Sequence, residues 1–149
     1  MIIQWVSFTR SQGNQMMYKI ATFVLTLIFV SPVTGDVLKD TNRMLCVPGQ
    51  VSHCVVGVGC NSGLPEDENI PEFMEVDLKR KTLATTQASG EGRSTPIQKQ
   101  SREAGYIYLQ GVENGRSFSM VISENTGDLT LAVAADGETA TSFGSCTPD

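Results

Sequence analysis

The chain has 149 residues, 11 Lys and Arg against 16 Asp and Glu, a net charge of −5, a single histidine and four cysteines. That length suits one domain rather than two. The acidic balance repels phosphate backbones and excludes nucleic acid as an expected partner.

The chain opens on a segment unlike the rest. Ile20 to Val30 is an eleven-residue apolar run without charge, preceded by Lys19 and followed by Ser31, Pro32, Val33, Thr34 and Gly35. A cationic start, a short apolar stretch and a small-residue exit predict a secretory signal peptide over residues 1–35. Val33 and Gly35 suit the peptidase positions, so cleavage is expected between Gly35 and Asp36. A spanning helix needs about 20 apolar residues, so no stable membrane insertion is expected after cleavage. Residues 1–15 are atypical of a signal peptide, and translation is expected to begin at Met16 or Met17. Residues 36–149 then form the mature domain, with 9 basic against 16 acidic residues and a net charge of −7.

All four cysteines lie in that domain, and an even count in a small exported chain predicts two disulfides. Three pairings are possible. The Gly-containing turn between Cys54 and Cys60 favours joining those two, which leaves Cys46 with Cys146 and ties the first strand to the last.

Met44 to Val47 and Val51 to Val56 read as two short strands, and 61–71 as an acidic, proline-bounded loop. Phe73 to Leu78 and Thr82 to Thr86 flank a turn at Lys79-Arg80-Lys81. Residues 87–93 form a polar loop, and Thr95 to Ser101 is a further strand. Tyr106 to Val112 turns at Asn114-Gly115, the strongest short hairpin signal, because both central residues of a type I′ turn need positive φ. In Arg116 to Ser123, Phe118, Met120 and Ile122 share one face. Leu129, Leu131 and Val133 repeat that period of two after a turn at Gly127. Asp136-Gly137 leads into a strand over 139–143. No stretch shows sustained helical periodicity. Eight or nine short strands at such intervals predict an all-β fold, a small antiparallel meander barrel or sandwich stapled by two disulfides.

The stretches PEFMEVDLKRKTL (Pro71 to Leu83), GYIYLQGVENGRSFSMVISENTGDLTLAVAADG (Gly105 to Gly137) and FGSC (Phe143 to Cys146) carry a family likeness. On these residues the chain resembles a group of small exported proteins of Gram-negative bacteria without an established activity. The resemblance implies export, with the periplasm as the default location and secretion as the alternative, and implies no mechanism.

The chemistry-bearing residues are few. His53 beside Cys54 could suggest a Cys–His nucleophile, but that chemistry needs a thiolate, and a disulfide is expected there. The cysteine spacing lacks the paired pattern of a structural zinc site, and no nucleophile elbow is present. His53 is therefore read as an ordinary surface or loop residue. Glu66, Asp67 and Glu68 lack the alternating layout and glycine turn of a calcium loop and read as solvated. Asp77 is expected to point away from a core lined by Val76 and Leu78, toward solvent, a partner, or Lys79 and Lys81 across the hairpin. Arg116, with Tyr106, Tyr108 and Phe118 on nearby strands, is a candidate recognition patch, and Gly111 and Gly115 are assigned to the turn. No cofactor and no catalytic residue is expected. The reading that remains is a non-catalytic binding or inhibitor module of the cell envelope, acting on a protein partner. The alternative is a small β-barrel carrying an apolar ligand, which a core packed without a pocket would end.

Overall fold

Strands account for almost all regular structure in the computed structural model, which describes residues 36–68, 70–89 and 92–149. The expected leader, its cleavage site and the start at Met16 or Met17 lie outside these residues. The strands are β1 (Arg43–Val55), β2 (Gly59–Gly63), β3 (Met74–Asp77), β4 (Thr82–Thr85) and β5 (Ser94–Pro96). They continue with β6 (Lys99–Glu103), β7 (Tyr106–Glu113), β8 (Arg116–Ser123), β9 (Asp128–Ala135) and β10 (Glu138–Pro148). Every pairing is antiparallel, in the order β5-β4-β3-β1-β10-β9-β8-β7-β6, with β2 added alongside β1. The sheet curls into a half-barrel. Only Ile97 and Gln98 separate β5 from β6, the two ends of that path. Their amides continue the ladders on both sides, Ile97 N–H donating to the Lys81 carbonyl (2.8 Å) and Gln98 N–H to the Gln110 carbonyl (2.9 Å). Ser94 to Glu103 thus pairs first with one end of the sheet and then with the other.

The meander β7-β8-β9-β10 follows the expected turns. Asn114 and Gly115 both take positive φ (49° and 80°), as a type I′ turn requires, and Gly127 turns β8 into β9 at φ 77°. The inward face reads Ile107 and Leu109 on β7, Met120 and Ile122 on β8, and Leu129 and Leu131 on β9, all buried. This is the alternation the sequence shows, and one face of it makes the core. Leu38, fully buried, plugs the end near the β8–β9 turn, held by its N–H to the Glu124 carbonyl (2.9 Å). Arg102 fastens the same segment through the Thr41 carbonyl and the Glu124 carboxylate (2.5 Å).

Four features differ from the expectation. The two short strands expected over Met44–Val47 and Val51–Val56 are one strand, Arg43–Val55. The acidic loop begins as β2 and then forms a 3-10 turn at Pro65–Glu68. The strand expected over 95–101 is the bent β5–β6 segment. β10 runs on to Pro148, so Cys146 lies within it.

The length of β1 depends on a bulge. Register shifts between Pro48 and Val51, so inward positions change from Met44, Cys46 and Pro48 to Val51, His53 and Val55. An inserted residue changes the parity of the strand. That change turns His53 inward and sends Cys54 outward to Cys60. The bulge brings backbones together. A methyl group on Gly144 would overlap the Val47 carbonyl oxygen and the Pro48 Cα, and one on Gly49 would lie 2.8 Å from the Phe143 carbonyl oxygen. Gly144→Ala is expected to cost about 1–3 kcal/mol through overpacking. A urea melt superimposable on that of the parent protein would contradict this account of the bulge.

Both disulfides join the expected partners. Cys46 and Cys146 face each other across β1 and β10, and Cys54 and Cys60 across β1 and β2, each pair with Cα atoms 4.0 Å apart. The two bonds are consistent with an extracellular or periplasmic location.

Candidate functional site

One end of the half-barrel is filled and the other is hollow. Where the β1–β2, β7–β8 and β9–β10 turns gather, the inward side chains leave a cavity of about 160 Å³. Ile70, Met74, Leu83, Phe118, Leu131 and Val133 form the apolar part of its wall. The reason lies in residue size. The hollow end presents Ala135 on β9 and Ala140 on β10, where the filled end presents Leu129 and the Cys46–Cys146 bridge. Small side chains on two adjacent strands leave volume that the larger ones opposite do not reach.

Charged groups ring the mouth. His53 is 24% exposed and stands between two carboxylates, its Nδ1 2.7 Å from Glu68 and its Nε2 3.3 Å from Glu138. Glu68 reaches this position because the 3-10 turn follows β2, which Cys54–Cys60 pins beside β1. Glu138 reaches it as the first residue of β10, beside Val55. Across the mouth, Glu113 ends β7 and Arg116 begins β8, as partners in register around the Asn114-Gly115 turn. Arg93 also lines the cavity. Thr85 fixes its backbone by accepting the Arg93 N–H at Oγ1 and donating its own N–H to the Arg93 carbonyl, both at 2.9 Å.

The candidate residues from the sequence separate here. Arg116 lines the cavity. Tyr106 and Tyr108 stand on the outward face of β7, their ring centroids 6.3 Å apart, and do not join Arg116 in one patch. Phe118 does join it, two residues along the inward face of β8. Asp77 points neither to solvent nor to Lys79 or Lys81. It is 8% exposed, and its Oδ1 accepts the Arg80 N–H at 2.8 Å, closing the β3–β4 turn. A short acidic side chain bonding its own downstream backbone is a turn device. Gly111 does not serve a turn. It lies inside β7 directly opposite Phe118, and any Cβ there would strike that ring and the Pro96 carbonyl. The glycine lets the phenylalanine lie flat over β7 and leaves the cavity open beside it.

His53 is not the surface or loop residue expected: it lies within β1, half-buried between two carboxylates. The alternation Val51, His53, Val55 was visible and places it on the inward face. Its two carboxylate partners come from distant segments. The Cys–His nucleophile is unavailable, because the Cys54 sulfur is bonded to Cys60 and no cysteine among the described residues is free. Among the described residues no group of His, Cys, Asp and Glu side chains could hold a metal ion. Away from the mouth, Arg43 joins β1 to Glu75 on β3 and to Asp149 (2.8 Å). The Glu75 hydrogen bond, then the Glu75 and Asp149 charges, hold its guanidinium pKa above the ordinary arginine value.

Comparison with protein families, with curated proteins and with solved structures gives no match for this chain.

Proposed function

We propose that the protein is a non-catalytic binding module that takes a small, mainly apolar molecule into the hollow end of its half-barrel. The observation that carries this reading is the cavity itself, about 160 Å³ of apolar-walled space opening at a charged mouth. An engineered apolar cavity of about 150 Å³ in another protein holds benzene or xenon, so the space fits a single ring or a short branched chain. A binding site of this form has an apolar body and a few convergent polar groups that orient the ligand. The mouth supplies those groups in His53, Glu68, Glu113, Arg116 and Glu138.

The setting we propose is the periplasm or the medium. The run Ile20 to Val30, the exit at Val33 and Gly35, and the likeness to exported proteins support delivery through a cleaved signal peptide. The two disulfides support an oxidising compartment.

Methyl-resolved NMR with benzene as the probe tests the binding reading. Titration is expected to shift methyl signals of Ile70, Met74, Leu83, Leu131 and Val133 while leaving those of Ile107 and Ile122 at the filled end in place. If no cavity methyl moves at saturating benzene, the small-ligand reading fails. The search would then turn to a protein partner at the β1–β2 hairpin tip, where Val56 and Val58 are 79% and 77% exposed.

A further inference from the structure

Two opposite charges at the mouth are left over. Glu68 and Glu138 are occupied by His53. Glu113 and Arg116 are directly opposite each other across β7 and β8, and both line the cavity. Residues so placed have Cβ atoms about 5 Å apart, close enough to pair. Yet they form no ion pair with each other, and neither has an ion pair or side-chain hydrogen bond among the described residues. An unjoined cation and anion, side by side above an apolar hollow, match a ligand that carries both charges on one carbon and an apolar group beside them.

We infer that the ligand is a free apolar α-amino acid, with its carboxylate on Arg116, its ammonium on Glu113 and its side chain against Phe118. This rests on the binding reading above and names its substrate class. The guanidinium presents a planar fork that takes a carboxylate through two parallel N–H donors. The Glu113 carboxylate accepts from an ammonium, which has donors only. On β8 the next inward residue after Arg116 is Phe118, so a side chain leaving the α-carbon enters the cavity beside that ring, facing Val133 and Leu131. An aromatic or branched aliphatic group there gains ring contact and apolar burial. A monocarboxylate of the same shape would leave its charge beside Glu113, and a monoamine would leave its charge beside Arg116. The zwitterion meets both partners. The volume limits the side chain to about one ring, the size of phenylalanine or leucine.

Calorimetric titration of the full mature protein with four probes of equal girth tests this: phenylalanine, 3-phenylpropionate, 2-phenylethylamine and toluene. Phenylalanine is expected to bind about tenfold or more tightly than each of the others, the difference made by one charge-assisted hydrogen bond. Arg116→Gln is expected to remove the advantage of phenylalanine over 2-phenylethylamine, and Glu113→Gln its advantage over 3-phenylpropionate, with toluene binding unchanged in both. Arg116 is exposed and Glu113 half-buried in their strands, so both variants should melt as the parent does. Toluene bound as tightly as phenylalanine, or 3-phenylpropionate bound equally well, overturns the amino-acid assignment and leaves the binding reading standing. No binding of any probe overturns both.

Discussion

Replacing Cys46 and Cys146 together by alanine is expected to lower the unfolding free energy by about 4–5 kcal/mol, the chain-entropy value for a loop of this length. The bridge spans a sequence separation of 100 residues and joins the first strand in the chain to the last, which are neighbours in the sheet. Both sulfurs lie in the core, so the change also removes packing between β1 and β10. Alanine is the right replacement, because serine would bury a hydroxyl without a partner. A small domain has about 5–15 kcal/mol in total, so this one bond carries a large share. The melting temperature should fall by roughly 20 °C. The matching change at Cys54 and Cys60 closes a separation of only 6 residues and should cost about 2 kcal/mol. Cys60 is exposed while Cys46 and Cys146 are buried, so a mild dithiol should open the short bridge first. Circular dichroism melts of the two double variants, with thiol counting during graded reduction, check both statements. Equal losses from the two pairs would show that the long loop does not govern stability here.

The pairing of these cysteines was legible because each bond is local to a feature that sequence displays. Cys54 and Cys60 bracket a glycine turn, and the remaining two had only each other. The meander was legible for a similar reason: in Arg116 to Ser123 and in the strand after it, the solvent face and the core face alternate without interruption. β1 was not, because Pro48 and Gly49 look like a break. The structure uses them as a bulge, with Gly144 on β10 yielding the space. No periodicity within one segment reports that accommodation, since it lies in the partner strand. Glu68 and Glu138 are 70 residues apart in sequence and meet only because β1 lies between their elements. Asp77 and Gly111 both depart from the rule of thumb that a polar or small residue in a strand faces solvent or a turn. Asp77 is instead consumed by its own turn, and Gly111 by an aromatic ring across the ladder. Arg116 lines the cavity, and the strand period that places it beside Phe118 also places Tyr106 and Tyr108 on the other surface.

Ala140→Leu is expected to abolish binding of any small ligand while leaving the unfolding free energy unchanged or raised by about 1 kcal/mol. Ala140 lies on the inward face of β10, paired in register with Val133 on one side and His53 on the other. Its methyl group lines the cavity without filling it. Three further carbons would enter open space, where added apolar contact contributes about 0.8 kcal/mol per buried methylene, less the cost of fixing the new side chain. That sign separates the hollow end from the rest of the core, where inserted carbons cost about 1–3 kcal/mol. Leu131→Ala supplies the opposite arm. It enlarges the same space, should cost about 2–5 kcal/mol, and should still admit benzene. Urea melts and benzene titrations of both variants therefore give a pattern in which stability and binding move in opposite directions. A core that merely packs loosely at this end would gain stability from Ala140→Leu without any ligand to lose, and benzene would leave the methyl spectrum of the parent protein untouched. If Ala140→Leu instead destabilises the fold by several kcal/mol, then the inward side chains already meet over Ala140 and no binding space exists there.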